Sequence, residues 1–323
     1  MRGAIVGFGE VARHGHWPAY ADSSEFSIVA VVERSAERRA LATSLSAGLH
    51  VYATVDELVA GETLDFVDVC TPPALHGAPV LAALERGWHV VCEKPFLLDA
   101  AVLTRARALA EERGVAAVPV HNWKLAPIVQ AATARLRRGD IGRLRRVEID
   151  TERLKDFTGA DPDRPNWRRD PAIAGGGILM DHGWHALYLA LDWFGHEPRS
   201  VHATLHRPQP DAVEDEATVR LAFDGGEAAI SLTWNGTARR NVMRLEGDGG
   251  SIAIDDDRLI VRGTVNEDER FPSALSGGSH HADWFAAFIP RLAGYFRDPA
   301  SSRAAFDEAA ACFRIIQGVY ERS

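Results

Sequence analysis

The sequence predicts an α/β protein in two parts: an N-terminal Rossmann-type doubly wound parallel sheet over 1–121, then over 122–323 an α/β domain with a large, mostly antiparallel open sheet. Three observations carry this. From residue 3 to about 121, short Val- and Ile-rich runs alternate with helical stretches, the rhythm of βαβ units whose strands are covered on both faces. Beyond 122 strand follows strand, with Asp224-Gly225-Gly226 and Asp248-Gly249-Gly250 as turns. A length of 323 residues exceeds one typical core and suits two domains.

Taken in order, the first half reads "AIVGFG" and a helix over 10–21, "SIVAVVE" and 35–46, "DFVDVCTP" and 74–86, "HVVCEKP" and 99–113, then "AAVPVHN". The second half opens with a helix over 125–138 and a strand near 144–154, and "GGGILMDHGWHALYL" at 175–189 reads as a helix. "EATVRLAF" pairs with "EAAISLTWN" and "NVMRLEG" with "SIAIDDD" as hairpins. In the helical tail Phe306, Ala310, Phe313, Ile316 and Tyr320 share one stripe, so the tail is expected to dock, with the first domain as one surface open to it.

Hydrophobic residues at 46 % and charged residues at 25 % describe an ordinary soluble globular chain. The net charge of -9, with acids scattered rather than blocked, points away from nucleic acid and anionic membranes and toward a small molecule. Cys70, Cys92 and Cys312 show no CxxC spacing, so neither a disulfide framework nor a structural zinc is expected, and a reducing cytoplasm is the expected compartment. The N-terminus lacks a signal-peptide core, and no window reaches the roughly 18 apolar residues of a membrane span.

Two stretches carry nucleotide chemistry. Gly7, Gly9 and Ala12 stand at GxGxxA spacing between a strand and a helix, with Phe8, Glu10 and Val11 completing the turn. The first glycine permits the tight turn, the second lets backbone approach a pyrophosphate, and the small third residue lets helix pack on strand. Glu33 ends the second strand, where an acid accepts the adenosine ribose hydroxyls, which favours NAD; Arg34 follows and can pair with a 2′-phosphate, which keeps NADP open. Glu93, Lys94 and Pro95 end a buried parallel strand at the edge where open α/β sheets bind ligands. Thr71 and Pro72 end the preceding strand, and His76 opens the next helix on that edge.

At this point the chain resembles the glucose-fructose oxidoreductase, inositol dehydrogenase and rhizopine-catabolism (Gfo/Idh/MocA) family. The resemblance rests on the glycine turn, "TPPALH" in place of TPxxxH, "EKP" at 93–95, "IGRL" at 141–144, "GGGILMDHGWH" at 175–185 and the helical tail. It implies a Rossmann domain joined to an open-sheet domain, homodimers or homotetramers through that sheet, and NAD(P)-linked oxidation or reduction of sugars, cyclitols and related alcohols. It also implies that Lys94 is the active-site lysine, that Asp181 and His185 are the acid/base pair, and that Thr71, Pro72, His76 and Glu93 are on the cofactor side. The chain departs from the pattern at Tyr188, where relatives often carry an Asp, and at Lys124 in "NWKLAP", where Arg is common. Both positions suit substrate contacts.

From the residues themselves, Asp181 and His185 lie four apart on a helix, so the carboxylate can fix the imidazole tautomer and turn the other nitrogen to substrate. Lys94 then steadies the substrate oxygen, and Gly175, Gly176 and Gly177 let the backbone pass close to substrate and nicotinamide. A metal held by Asp181, His182 and His185 is the rival reading; a side-chain base makes it unnecessary and a cationic Lys94 would repel the ion, so no metal is expected and His182 reads as a supporting neighbour. In the loop over 157–171 Trp167 can stack on a sugar face and Arg168 or Arg169 can bind an anionic substituent; His281, opening a late helix, is either a site residue or a cap. The expected activity is hydride transfer between nicotinamide and a secondary alcohol or ketone. The alternatives are transient use of bound NAD for elimination or glycoside cleavage, and a non-catalytic NAD(P)-binding sensor.

Overall fold

A computed structural model describes residues 1–154, 166–278 and 280–323. The chain divides into two compact units, Met1–Asn122 with Ser279–Ala310, and Trp123–Gly278 with Ala311–Ser323.

In the first unit the strands β1 (Arg2–Val6), β2 (Ser27–Val32), β3 (His50–Tyr52), β4 (Phe66–Val69), β5 (His89–Cys92) and β6 (Ala117–Pro119) form one sheet in the order β3-β2-β1-β4-β5-β6. Every pairing is parallel. This is the doubly wound order, and the strand sequence reverses between β1 and β4, where a crevice opens beyond the strand ends. The intervening helices are α1 (Trp17–Ala21), α2 (Ala36–Leu45), α3 (Val55–Gly61), α4 (Gly77–Glu85) and α5 (Ala100–Arg113). The β3 strand and α3 carry too little apolar pattern to announce themselves. Local chemistry specifies α3, because Thr54 and Glu57 form a reciprocal capping box at its start. The helix expected over 10–21 is wound in two ways: Ala12–His16 is a π-turn and Trp17–Ala21 is α-helical.

The second unit holds α6 (Pro127–Arg137), β7 (Leu144–Glu152), α7 (Pro171–Ala174), α8 (Trp184–Phe194), β8 (Ser200–His206), β9 (Glu216–Phe223), β10 (Gly226–Thr233), β11 (Arg240–Gly247), β12 (Gly250–Asp255), β13 (Arg258–Arg262) and β14 (Asn266–Arg270). The eight strands make one sheet, β14-β13-β12-β11-β7-β10-β9-β8. Both expected hairpins form, Phe223 opposite Gly226 and Gly247 opposite Gly250. Only the β7–β10 pair is parallel, which makes the sheet mixed but mostly antiparallel. Its strands alternate by the period-two rule: Val147, Ile149, Val219, Leu221, Ile230, Met243 and Leu245 are buried on one face, and the other carries Arg146, Glu148, Glu227 and Arg244, joined by ion pairs. Trp184 through Leu191 in α8 are all buried, so this helix is a core element rather than an amphipathic one.

Of the late helices, α9 (Ala282–Arg297) belongs to the first unit, and α10 (Pro299–Tyr320) contributes its opening turns to the first unit and its last turns to the second. Among the described residues no helix is long and apolar enough to cross a membrane.

Candidate active site

Each unit places one of the motifs. In the first, β1 runs into Gly7, whose φ of +91° is a left-handed value that glycine adopts freely; a Cβ there would lie 2.8 Å from Thr71 Cγ2. Gly9 faces open space, with nothing within 4 Å of where a Cβ would sit. Glu33 is buried and already engaged: it accepts the N–H of Phe8 at 2.9 Å, the N–H of Ser35 at 2.8 Å and a guanidinium N–H of Arg38 at 3.1 Å. Burial pushes its carboxyl up, but the hydrogen bonds from Arg38, Ser35 and Phe8 outweigh it and hold the pKa below the ordinary glutamate value. Glu33 thus fastens the glycine turn to the second strand while remaining a carboxylate. Arg34 beside it is exposed, and Arg39 donates to the carbonyls of Glu33 and Arg34.

His76 is completely buried between two strand ends, Nε2 2.7 Å from the Thr71 carbonyl oxygen and Nδ1 2.9 Å from that of Pro95. Burial lowers its pKa from the usual imidazole value while the carbonyls of Thr71, Phe96 and Pro95 pull the other way, and the ring lies between the "TPP" and "EKP" segments. Lys94 is half-buried, its peptide to Pro95 is cis, and its N–H donates to Glu93 Oε2 at 3.0 Å. Buried Thr71 Oγ1 and Asn122 Oδ1 have no hydrogen-bond partner among the described residues. Thr71, against the Gly7 turn, fits a dinucleotide, which would satisfy its orphaned hydroxyl.

In the second unit the segment Leu179–Gly183 is a π-turn leading into α8, a winding that concentrates at functional sites. Two of the three glycines before it pack against protein. Gly175 caps α7 at a φ of +80°. A Cβ on Gly176 would lie 2.0 Å from Tyr320 Oη, and one on Gly177 would lie 1.9 Å from the Glu214 carbonyl oxygen. Close packing of the loop is what demands them.

His185 is buried and stacks on Trp123 with ring centroids 4.5 Å apart. Its Nδ1 lies 2.8 Å from Tyr188 Oη, and Tyr188 Oη accepts the Trp123 N–H at 3.0 Å. The partner at Nδ1 is therefore the tyrosine one turn along. Asp181 has Arg168 Nε and His182 Nδ1 each at 3.4 Å, and His182 Nε2 in turn accepts from Arg153 at 3.2 Å. Tyr188, expected on the substrate side, is wholly buried. Lys124 is ion-paired with Asp192 at 3.0 Å. Arg168 lies 4.2 Å over the Trp167 ring, while residues 155–165 of that loop lie outside the described residues. His281 belongs to the first unit, takes a φ of +42° at the start of α9 and stacks on Trp284.

Two residues of this unit escaped sequence reading. Glu214, 1 % exposed, uses one carboxylate oxygen to accept the N–H groups of Gly177 and Leu179, each at 3.0 Å, and the Tyr320 hydroxyl at 2.8 Å. Burial and the adjacent carboxylate push the Tyr320 phenol well up, so it stays a donor. Arg153 is buried and donates to His182, to the carbonyls of Glu152 and Arg240, and to Asn241 Oδ1. Burial first, and nearby Arg239, bring its pKa down to about 10. An acid before a strand and an arginine after one read as surface residues, and no local pattern marks them as buried.

With this geometry in hand, residues 1–121 match the oxidoreductase family with an NAD-binding Rossmann fold, and residues 129–253 match the GFO/IDH/MocA C-terminal domain. The chain belongs to the GFO/IDH/MocA oxidoreductase family. It is 30 % identical to the D-apiose dehydrogenase of Paraburkholderia graminis over 71 % of this chain and 59 % of that protein, less than two thirds of its length. It is 27 % identical to the scyllo-inositol 2-dehydrogenase (NADP(+)) of Bacillus subtilis over 73 % and 70 %. Its fold matches, with a TM-score of 0.84, 21 % identity and 99 % and 95 % coverage, an oxidoreductase from Agrobacterium radiobacter solved with NAD+, L-tartaric acid and magnesium. The first unit is thus the NAD-binding Rossmann domain of this family.

One consequence separates fold from binding. Gly9→Ala places a methyl in open space and is expected to leave the melting temperature unchanged, while crowding the pyrophosphate and weakening dinucleotide binding by about tenfold, ~1.4 kcal/mol. Thermal melts and a cofactor titration check both halves.

Proposed function

We propose that this chain is an NAD(P)-dependent dehydrogenase or reductase acting on a secondary alcohol, or the matching ketone, of a sugar, cyclitol or related polyol. His185 carries the reading: a buried imidazole, stacked on Trp123, with Nδ1 engaged by Tyr188. Tyr188 Oη, which accepts the Trp123 N–H, holds the ring at Nδ1, and the imidazole accepts the substrate hydroxyl proton. Asp181 supplies a counter-charge for the imidazolium that forms, its carboxylate aimed by Arg168 and His182. Lys94 steadies the substrate oxygen as it gains alkoxide character. Thr71, Pro72, Glu93 and the turn at Gly7 to Val11 hold the cofactor, which when bound supplies the hydride-accepting nicotinamide. Glu33 favours NAD, and Arg34 keeps NADP in play. Trp167 and Arg168 face the substrate, and Tyr188 sets the base rather than the substrate. A homodimer or homotetramer forms through the charged outer face of the open sheet in the cytoplasm.

A screen of cyclitols, sugars and sugar acids with both dinucleotides tests this. Reduced nicotinamide is expected with at least one polyol and absent in Lys94→Ala. Product formed with no reduced cofactor accumulating would replace the reading by transient redox, and tight cofactor binding without turnover of any alcohol would replace it by a sensor.

A further inference from the structure

In the Rossmann unit Asp68 sits in the middle of β4 among Phe66, Val67 and Val69 and is 0 % exposed. A carboxylate there requires a partner. His16, on the π-turn Ala12–His16 and itself 2 % exposed, supplies it: Nδ1 lies 2.7 Å from Asp68 Oδ2, and Nε2 lies 3.0 Å from Glu93 Oε1. Ionised carboxylates only accept, so an imidazole with a carboxylate at each nitrogen carries a proton on both. The ring is further held by stacking on Phe285 of α9 at 3.6 Å.

The groups around it agree. Burial pushes the Cys70 thiol up to about 12, so it stays neutral and donates to Asp68 Oδ1 at 3.5 Å. Burial also keeps the Tyr20 phenol protonated. Burial alone would lower the His16 pKa, but Asp68 and Cys70 raise it well above the ordinary value. The Glu93 carboxyl is raised by burial and lowered more by His16 and Lys94. His76 also feels the Glu93 charge, and its pKa is lowered by burial. His16, Asp68 and Cys70 also have ligand-type atoms close enough for a metal, but a nitrogen and an oxygen bound to one tetrahedral zinc stand about 3.3 Å apart. At 2.7 Å they share a proton.

We propose that His16 is a positioning residue of this dehydrogenase: clamped as an imidazolium between Asp68 and Glu93, it fixes the corner that presents Lys94. With Oε1 of Glu93 bound to His16 and Oε2 bound to the Lys94 N–H, the carboxylate pins the Lys94 backbone to the His16 ring. The inference rests on the catalytic role read for Lys94, and its test separates the two. Nitrogen-15 spectra of the intact protein, with the His16 signal assigned by its loss in His16→Asn, are expected to show both ring nitrogens still protonated across the pH range in which an ordinary imidazole loses its proton. A neutral tautomer in that range overturns the clamp whether or not any alcohol is turned over. The Lys94 amide resonance is expected to shift in His16→Asn, and an unmoved resonance overturns the link. In Asp68→Asn the His16 pKa falls, and the protonated, working form is lost as pH rises, so kcat gains a new alkaline-side decline near neutrality while the dinucleotide KM stays within about twofold. A lower melting temperature with an unaltered pH profile of kcat would make His16 merely structural.

Discussion

His185→Ala is expected to lower kcat by about 10²- to 10⁴-fold, the span that a positioned general base supplies, with the dinucleotide dissociation constant unchanged within about twofold. In the proposed reaction the imidazole takes the hydroxyl proton, and it lies in a unit separate from the glycine turn, so its loss is expected in turnover rather than in cofactor binding. Tyr188→Phe refines the test. It removes the Oη that hydrogen-bonds Nδ1 without disturbing the ring packing, and is expected to lower kcat by roughly tenfold while substrate KM stays put. Steady-state kinetics with a substrate from the polyol screen measure both. Wild-type turnover in His185→Ala would end the assignment of the base.

Glu214→Ala is expected to be the most destabilising substitution near the site, by about 4 kcal/mol. One carboxylate oxygen satisfies the N–H groups of Gly177 and Leu179 and the Tyr320 hydroxyl, and each buried group left without a partner costs about 1–3 kcal/mol. Water has little room to replace it, because Gly177 stands against the Glu214 backbone. Glu214→Gln keeps an accepting oxygen and loses only the charge assistance, so about 1–2 kcal/mol is expected. The damage should reach turnover as well, since the Asp181 N–H bonds the Gly177 carbonyl at 3.0 Å within the same loop. Denaturant unfolding of both variants decides; equal losses in Ala and Gln would mean that volume rather than hydrogen bonding is at stake.

The amino-acid sequence by itself determined the parts written in short-range code. A glycine pair after an apolar strand, Asp-Gly-Gly turns between alternating strands, and Val-rich runs at helical intervals each depend on neighbours a few residues away, so the doubly wound parallel sheet, apart from β3, and both hairpins were legible. The motifs at 93–95 and 181–185 were legible for the same reason, and their combination named the family. What only the tertiary structure decided is how these residues are partnered. Helical spacing suggested Asp181 as the partner of His185; the fold adds a π-turn to the segment and sets Tyr188 Oη 2.8 Å from Nδ1. Three glycines suggested approach to a ligand, and Tyr320 and Glu214 crowd two of them, Gly176 and Gly177. "DFVDVC" looked like a plain apolar strand, but its Asp68 answers His16, 52 residues earlier, as Glu93 does from 77 residues later and as Tyr320 answers Glu214 across 106. A buried charge or hydrogen-bonding group must be satisfied wherever the fold brings a partner, and that partner is set by which strands and helices become neighbours, information that no local pattern of residues contains.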